Sequence, residues 1–148
     1  MADSADENAS VIPRAGGRND IAMKVRDLMS YPIATVTPEA TVMDAIRRMA
    51  GEKKGSVLVT GEGLLKECLG IVTTSQIFME VFARGLDPAS VKVSEIMTPA
   101  PLITIDLDAS TREAAKVMRE HNIRRLPVMK EGALVGIITS KDLLRCVR

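Results

Sequence analysis

An internal repeat is the feature of this sequence that most restricts what the chain can fold into. The segment Gly70–Thr73 (GIVT) recurs as Gly136–Thr139 (GIIT), each an apolar run that ends in a hydroxyl. The repetition extends upstream, where Val25–Met29 matches Val93–Met97. A unit of about 55 residues buries too little apolar surface to be stable alone. The two copies are therefore expected to bury their apolar faces together.

Each copy reads as strand, helix, strand, hairpin, strand and helix. After Thr41, apolar residues fall at the spacing of one helix face, and Glu131–Gly132 predicts a tight hairpin turn. Pro127 interrupts a predicted strand, which favours an edge position or one that needs no ladder donor. The fold class is predicted to be α/β, of the α+β kind, with two pseudo-symmetric β-α-β-β-α repeats packed sheet to sheet.

The predicted organisation has four parts. Residues 1–20 lack apolar periodicity and are expected to be a disordered tail. The first repeat spans 21–85, a linker spans 86–90, and the second repeat spans 91–148. Within the first repeat, residues 75–84 are predicted to form a helix with its apolar side chains turned inward, namely Ile77, Phe78, Val81 and Phe82.

Composition excludes several classes of function. The net charge is +1 and there is no Trp, so neither a basic nucleic-acid surface nor base-stacking platforms are expected. No apolar run is long enough to span a bilayer, and no secretory signal is present. Cys68 and Cys146 have no metal-ligand spacing, and a cytoplasmic protein with two free thiols is expected. The lone His121 falls at a helix C-terminus, where a cation stabilises the helix.

Thr139 and Asp142 have two interpretations from the sequence alone. Their spacing is typical of a capping box, in which the hydroxyl and the carboxylate satisfy backbone N–H groups at a helix start. Alternatively, a carboxylate beside a helix start could bind a sugar diol while the N–H groups face an anion. Capping is the commoner use of this spacing. The recurrence of the same pattern in the first copy is the reason for keeping the ligand-binding interpretation.

The chain resembles a tandem pair of CBS domains, often called a Bateman module. The residues that carry the resemblance are Met29 and Met97, the segment Asn122–Val128 (NIRRLPV) and the segment Gly136–Asp142 (GIITSKD). The likeness covers roughly residues 21–148. The resemblance implies a regulatory module that binds an adenosine-containing ligand and pairs into a homodimer.

The resemblance also implies a set of ligand-binding residues. Asp142 would bind the ribose, with Thr139 beside it and Ile137 bordering the base or sugar. Arg124 and Arg125 would contact phosphate, and Lys141 would lie along the phosphate path. The remaining members of the implied nucleotide site are Thr104 in the same repeat and Ala40 and Ala45 in the other one.

The two copies differ at the positions that matter for binding. The first copy has Gln76 where the second has Asp142, and Gly55–Ser56 where the second has Arg124–Arg125. An amide keeps the cap but loses a charge-assisted bond, at a cost of about 1.5–3 kcal/mol. One competent site per chain is therefore predicted. The weak second site comprises Thr35, Thr73, Ser75 and Gln76.

The predicted function is a non-catalytic sensor of AMP, ADP, ATP or a similar adenosine compound, held in the cleft between repeats. No cofactor is expected to be required, and the chain has no nucleophile–base pair, phosphate loop or metal cluster to support an enzyme. The expected partners are the small molecule, a second copy of the chain and an unidentified regulated protein, with no nucleic acid and no membrane insertion. The alternative is a structural dimerisation module with a vestigial, ligand-free pocket.

Overall fold

The computed structural model describes residues 23–62 and 67–146. The predicted tail, residues 1–20, lies outside the described residues, as does part of the first hairpin loop. The chain divides into two compact units. The middle unit is Pro32–Leu102, and the terminal unit joins the described residues up to Tyr31 to those from Ile103 onward.

Helices and strands alternate along the chain. In chain order they are α1 (Val25–Leu28), β1 (Thr35–Val36), α2 (Val42–Glu52), β2 (Ser56–Thr60), β3 (Cys68–Thr73), α3 (Thr74–Ile77), a π-helix (Phe78–Phe82), 3-10 turns at Pro88–Ser90 and Val93–Glu95, β4 (Thr98–Pro99), β5 (Ile105–Asp106), α4 (Thr111–His121), β6 (Arg125–Lys130), β7 (Ala133–Thr139), α5 (Ser140–Leu143) and a 3-10 turn at Leu144–Cys146. The α+β class predicted from the sequence is confirmed.

The middle unit is a four-stranded sheet in the order β1-β2-β3-β4, with α2 and α3 beside it. Strand β1 runs parallel to β2, and the β2–β3 and β3–β4 pairs are antiparallel. Thr41 caps α2 by accepting a hydrogen bond from the Asp44 N–H. The buried face of α2 is made by Val42, Ala45 and Met49, which fall at helical spacing as predicted.

The terminal unit is a three-stranded sheet in the order β5-β6-β7. Its hairpin turns at Glu131 and Gly132, whose φ angles of 49° and 83° suit a two-residue turn. Pro127 lies in the central strand β6, so of the two predicted alternatives the edge position does not apply, and the position that needs no ladder donor is the one found. In the middle unit, Leu58 donates its N–H to the Ala34 carbonyl at 2.9 Å. Pro127 occupies the same place in the repeat and has no N–H, and pairing with β5 starts one residue later, at Val128.

The opening segment of a repeat is Val25–Met29 in the first and Val93–Met97 in the second. Each opening segment belongs to the compact unit that contains the β-hairpin of the other repeat. Val25 and Leu28 are buried in the core of the terminal unit. Val91 and Val93 are buried in the core of the middle unit, where the Val93 N–H donates to the Ala40 carbonyl at 2.9 Å. The compact units therefore do not follow the repeats along the chain, and the predicted repeat boundaries stay a prediction.

The segment after β3 differs from its prediction. Ile77 and Val81 are buried, but Phe78 and Phe82 are 61% and 54% exposed, so their predicted inward orientation is wrong. The helix widens here to i→i+5 hydrogen bonds, with the Ala83 N–H donating to the Phe78 carbonyl at 2.8 Å. A helix that packs on one side buries one stripe, and the two Phe side chains lie on the neighbouring stripe. Among the described residues no helix has the length and apolarity needed to cross a membrane.

Candidate functional site

Strand β7 ends at Thr139, where helix α5 begins with a complete capping box. The Thr139 hydroxyl accepts a hydrogen bond from the Asp142 N–H at 3.1 Å. In return, Asp142 Oδ2 accepts from the Thr139 N–H at 3.0 Å. The capping interpretation is therefore confirmed, and it occupies only one of the two carboxylate oxygens.

The other carboxylate oxygen of Asp142 faces a guanidinium. Arg145 Nη2 lies 3.7 Å from Asp142 Oδ1, which is an ion pair at longer than hydrogen-bond distance. The same nitrogen donates to the Leu28 carbonyl at 2.5 Å. Within the described part of the chain, Asp142 Oδ1 accepts no hydrogen bond, and the side chain is 18% exposed. It is thus free to accept bonds from a bound molecule.

A further arginine, Arg125, lies beside this carboxylate, and Arg124 precedes it in the chain. Arg125 in β6 is paired with Thr139 in β7, which holds it beside the cap. Partial burial lowers the pKa of Arg125 from its usual range, and the charge of Asp142 opposes that shift. Arginine stays protonated in proteins, so Arg125 remains a cation. The Arg124 carbonyl accepts from the Ser140 N–H at 2.9 Å, and its side chain is exposed.

The other predicted site residues are not all gathered at this cap. Ile137 is only 7% exposed and is bound by two backbone hydrogen bonds to Ser30. Lys141 and Thr104 are exposed, and Thr104 precedes β5 instead of lying in it.

Two predicted residues lie in the middle unit. Ala45 is fully buried in its core and has no exposed surface to offer a ligand. Ala40 is partly buried beside that core. The structure thus brings Thr139, Asp142 and Arg125 together, and Arg145 joins them although its sequence position gave no signal.

The equivalent cap in the middle unit is closed by hydrogen bonds. Gln76 Oε1 accepts from the Thr73 N–H at 2.8 Å, and the Gln76 N–H donates to the Thr73 hydroxyl at 3.3 Å. The amide Nε2 donates to the Thr98 hydroxyl at 2.7 Å and to the Ile96 carbonyl at 3.4 Å. Both ends of the amide are used within the unit, so little is left for a ligand. Of the other residues assigned to this weaker site, Thr35 lies in β1 and Ser75 is exposed.

The two caps also differ in charge. The terminal cap has four cationic side chains and one carboxylate in its sequence neighbourhood: Arg124, Arg125, Lys141, Arg145 and Asp142. The corresponding positions of the middle unit are all uncharged: Gly55, Ser56, Ser75, Met79 and Gln76. At these matched positions the terminal cap carries more positive charge than the middle one, which favours an anionic ligand there.

A separate apolar groove of about 470 Å³ lies in the middle unit, between α2 and the helix that follows β3. Its lining residues are Ile46, Met49, Ala50, Lys54, Thr74, Ile77, Phe78 and Phe82. The exposed Phe rings form its outer wall. No group of three or more His, Cys, Asp or Glu suited to a metal ion occurs among residues 23–62 and 67–146.

Comparison with known proteins matches both repeats to one family. The CBS domain family model matches residues 25–83 and again residues 93–148. A CBS domain-containing protein of Bacillus subtilis is 34% identical over 119 residues, which cover 80% of this chain and 81% of that protein.

Solved structures show the same fold. The hexameric CBS-CP12 protein of bloom-forming cyanobacteria superposes with a TM-score of 0.76 at 30% identity, covering 82% of this chain and 66% of that one. A CBS domain protein of Pyrobaculum aerophilum complexed with AMP superposes with a TM-score of 0.72 at 25% identity, covering 81% of this chain and 89% of that one.

Proposed function

This chain belongs to the CBS domain family as a tandem pair, and we propose that it is a non-catalytic regulatory module that binds an adenine nucleotide at Asp142. The observation that carries the proposal is the free Oδ1 of Asp142, which lies beside Arg125 and Arg145. A carboxylate can accept two hydrogen bonds from a ribose diol, and charge-assisted bonds of this kind are among the strongest available. The AMP complex of the Pyrobaculum aerophilum protein supports a nucleotide as the ligand.

The proposed site is single in each chain. In the terminal unit the capping box uses Asp142 Oδ2 and leaves Oδ1 for the ligand. In the middle unit the Gln76 amide is already bonded to Thr98 and Ile96, and it carries no charge. We therefore expect one nucleotide per chain. The predicted contributions of Ala40 and Thr104 to binding stay predictions.

A thermal-shift experiment tests this proposal. AMP, ADP, ATP, S-adenosylmethionine and NADH are each added to the wild type and to the Asp142→Asn variant, whose amide oxygen can still cap α5. A ligand at a hundred times its Kd stabilises the wild type by about 2.7 kcal/mol. Asp142→Asn should lose most of this stabilisation, and the matched Gln76→Ala variant should keep it. Equal stabilisation of Asp142→Asn would remove Asp142 from the site.

Regulation requires that the nucleotide bind two states of the module with different affinity. A partner protein would then respond to the state that the nucleotide favours. Enzymatic chemistry is not part of this proposal. The cytoplasmic location and the identity of the regulated protein stay predictions.

A second proposed function is self-association through the apolar groove of the middle unit. Phe78 and Phe82 each expose more than half of their surface beside this groove, and Met79 next to them is 58% exposed. Contiguous apolar surface of this kind is characteristic of a protein interface. The hexameric state of the CBS-CP12 protein supports a second copy of the chain as the occupant.

A further inference from the structure

We propose that Arg145 is a specificity-determining residue that makes the Asp142 site prefer a phosphorylated nucleoside over an unphosphorylated one. This inference rests on the proposed function, because it concerns the same site. It goes beyond it by naming a residue outside the predicted set and the part of the ligand that this residue selects.

The comparison of the two caps shows why an arginine occupies this position. In the middle unit, one side chain both caps the helix and reaches the opening segment, because Gln76 has an acceptor and a donor. Asp142 has only acceptors and cannot donate to a carbonyl. Arg145 donates instead to the Leu28 carbonyl, the counterpart of the Ile96 carbonyl that Gln76 contacts. In the middle unit Gln76 alone caps the helix and contacts the opening segment, whereas in the terminal unit Asp142 caps the helix and Arg145 contacts the opening segment.

Arg145 places a positive charge beside Asp142, and bonding the Leu28 carbonyl does not by itself require a charged donor. A neutral donor is enough to bond a carbonyl, as Gln76 does. Among residues 23–62 and 67–146, the contacts of Arg145 both use Nη2, and the donors on Nη1 and Nε have no partner there. The side chain is 57% exposed, so those donors are accessible from solvent. A planar guanidinium with free N–H groups matches a phosphate in geometry as well as in charge.

Position relative to Asp142 makes the selection specific. In a nucleotide the phosphate is carried by the 5′ carbon, which is attached to C4′, the ring neighbour of the carbon that bears the 3′ hydroxyl. Arg145 Nη2 lies 3.7 Å from Asp142 Oδ1. In the proposed arrangement the 3′ hydroxyl is bound to Oδ1, and the remaining donors of the guanidinium contact the phosphate on the adjoining side of the ribose. The counterpart of Arg145 is Met79, so the middle unit has no cation at this position.

Isothermal titration with adenosine, AMP and ADP tests the inference. The variants are Arg145→Met, which copies the residue of the middle unit, Arg145→Lys, and Arg112→Met as a control that removes an exposed arginine from α4. The wild type and Arg112→Met should bind AMP more tightly than adenosine. Arg145→Met should weaken AMP by about ten- to a hundredfold, the range for a lost bond to a charged group, and change adenosine less than about twofold. Arg145→Lys should recover part of the loss.

The outcomes separate this inference from the proposed function. If Arg145→Met weakens adenosine and AMP by the same factor, Arg145 only positions the opening segment, and the inference is wrong. If Arg145→Met changes neither affinity, Arg145 does not contact the ligand, and the inference is wrong as well. Both results leave nucleotide binding at Asp142 intact. If the wild type binds none of the three compounds, the proposed function is wrong and the inference is overturned with it.

Discussion

Gly136 lies so close to Met29 that a Cβ on the glycine would come within 2.8 Å of the methionine sulfur and 2.9 Å of the Ser30 carbonyl oxygen. The same contact occurs in the middle unit, where a Cβ on Gly70 would meet the Thr98 oxygen at 2.6 Å. The repeated glycine is therefore explained by the backbone of an opening segment that crosses strand β7 or β3 at this point. The repeated methionine packs over the same glycine.

Replacing either glycine by alanine should destabilise the protein. We expect a loss of about 1–3 kcal/mol for Gly136→Ala, because the added methyl group overpacks the contact with the opening segment. Gly70→Ala should lose more, since its nearest obstacle is a backbone oxygen that cannot rotate away. Urea unfolding measures both values. Gly51→Ala is the control, because it is in α2 with nothing within 4 Å, and should gain about 0.5–1 kcal/mol. A Gly136→Ala variant as stable as the wild type would contradict the explanation.

The hydrogen bonds of Gln76 predict the effect of making the two caps alike. Gln76→Asp keeps an acceptor for the Thr73 N–H but removes the donor to Thr98 and Ile96. We expect a loss of about 1–3 kcal/mol in the free energy of unfolding, the cost of groups left without partners. Adding Met79→Arg should restore part of it, by the arrangement that Arg145 shows in the terminal unit. If the single variant unfolds at the wild-type urea concentration, the amide contacts contribute nothing.

The capping box of α2 predicts a pH dependence of stability. Hydrogen bonds from the backbone N–H and the hydroxyl of Thr41 lower the pKa of Asp44 from its usual range. The folded protein therefore binds a proton less readily than the unfolded chain, and stability from this group is present above pH of about 4 and is lost as the pH falls through the lowered value. Melting temperatures between about pH 2 and 7 should fall less steeply on acidification for Asp44→Asn than for the wild type. Identical slopes would show that the carboxylate contributes nothing to the acid sensitivity.

The exposed aromatic wall of the apolar groove predicts that self-association depends on Phe78 and Phe82. Sedimentation equilibrium should show the wild type as a dimer or larger assembly. The double variant Phe78→Ser, Phe82→Ser should be monomeric and keep its melting transition, because neither ring is part of the core. Tyr31→Ser removes another aromatic side chain, 68% exposed and in the terminal unit, and should leave the assembly intact. A wild type that stays monomeric at high concentration would exclude this role for the groove.

Much of the fold follows from patterns that act locally. The helix start at Thr41 and the turn at Glu131–Gly132 were predicted from spacing and turn chemistry, and they are confirmed. The capping box at Thr139 and Asp142 was also recognised from the spacing of its two residues. Such features depend on residues within a few positions of each other, so the sequence alone is sufficient to find them.

What the sequence did not predict depends on distant contacts. Nothing local shows that Val25 is buried with the second repeat, because its burial depends on residues such as Ala109 far along the chain. Arg145 is one of many arginines until its bond to the Leu28 carbonyl is known. The outward orientation of Phe78 depends on which stripe of its helix finds a sheet to cover it. In each case the information lies in packing between segments and not in periodicity.

The opening segments set an order in which the protein can be completed during synthesis. Every described residue of the middle unit has been made once the ribosome has added Leu102, so this unit can close while the remainder is still being translated. The residues around Val25 and Leu28 are made earlier but belong to a core whose strands come last. They cannot form their final contacts until β7 has been synthesised. The unit with the uncharged cap can thus be completed first, and the unit that we assign to the nucleotide is assembled from segments that are made before and after it.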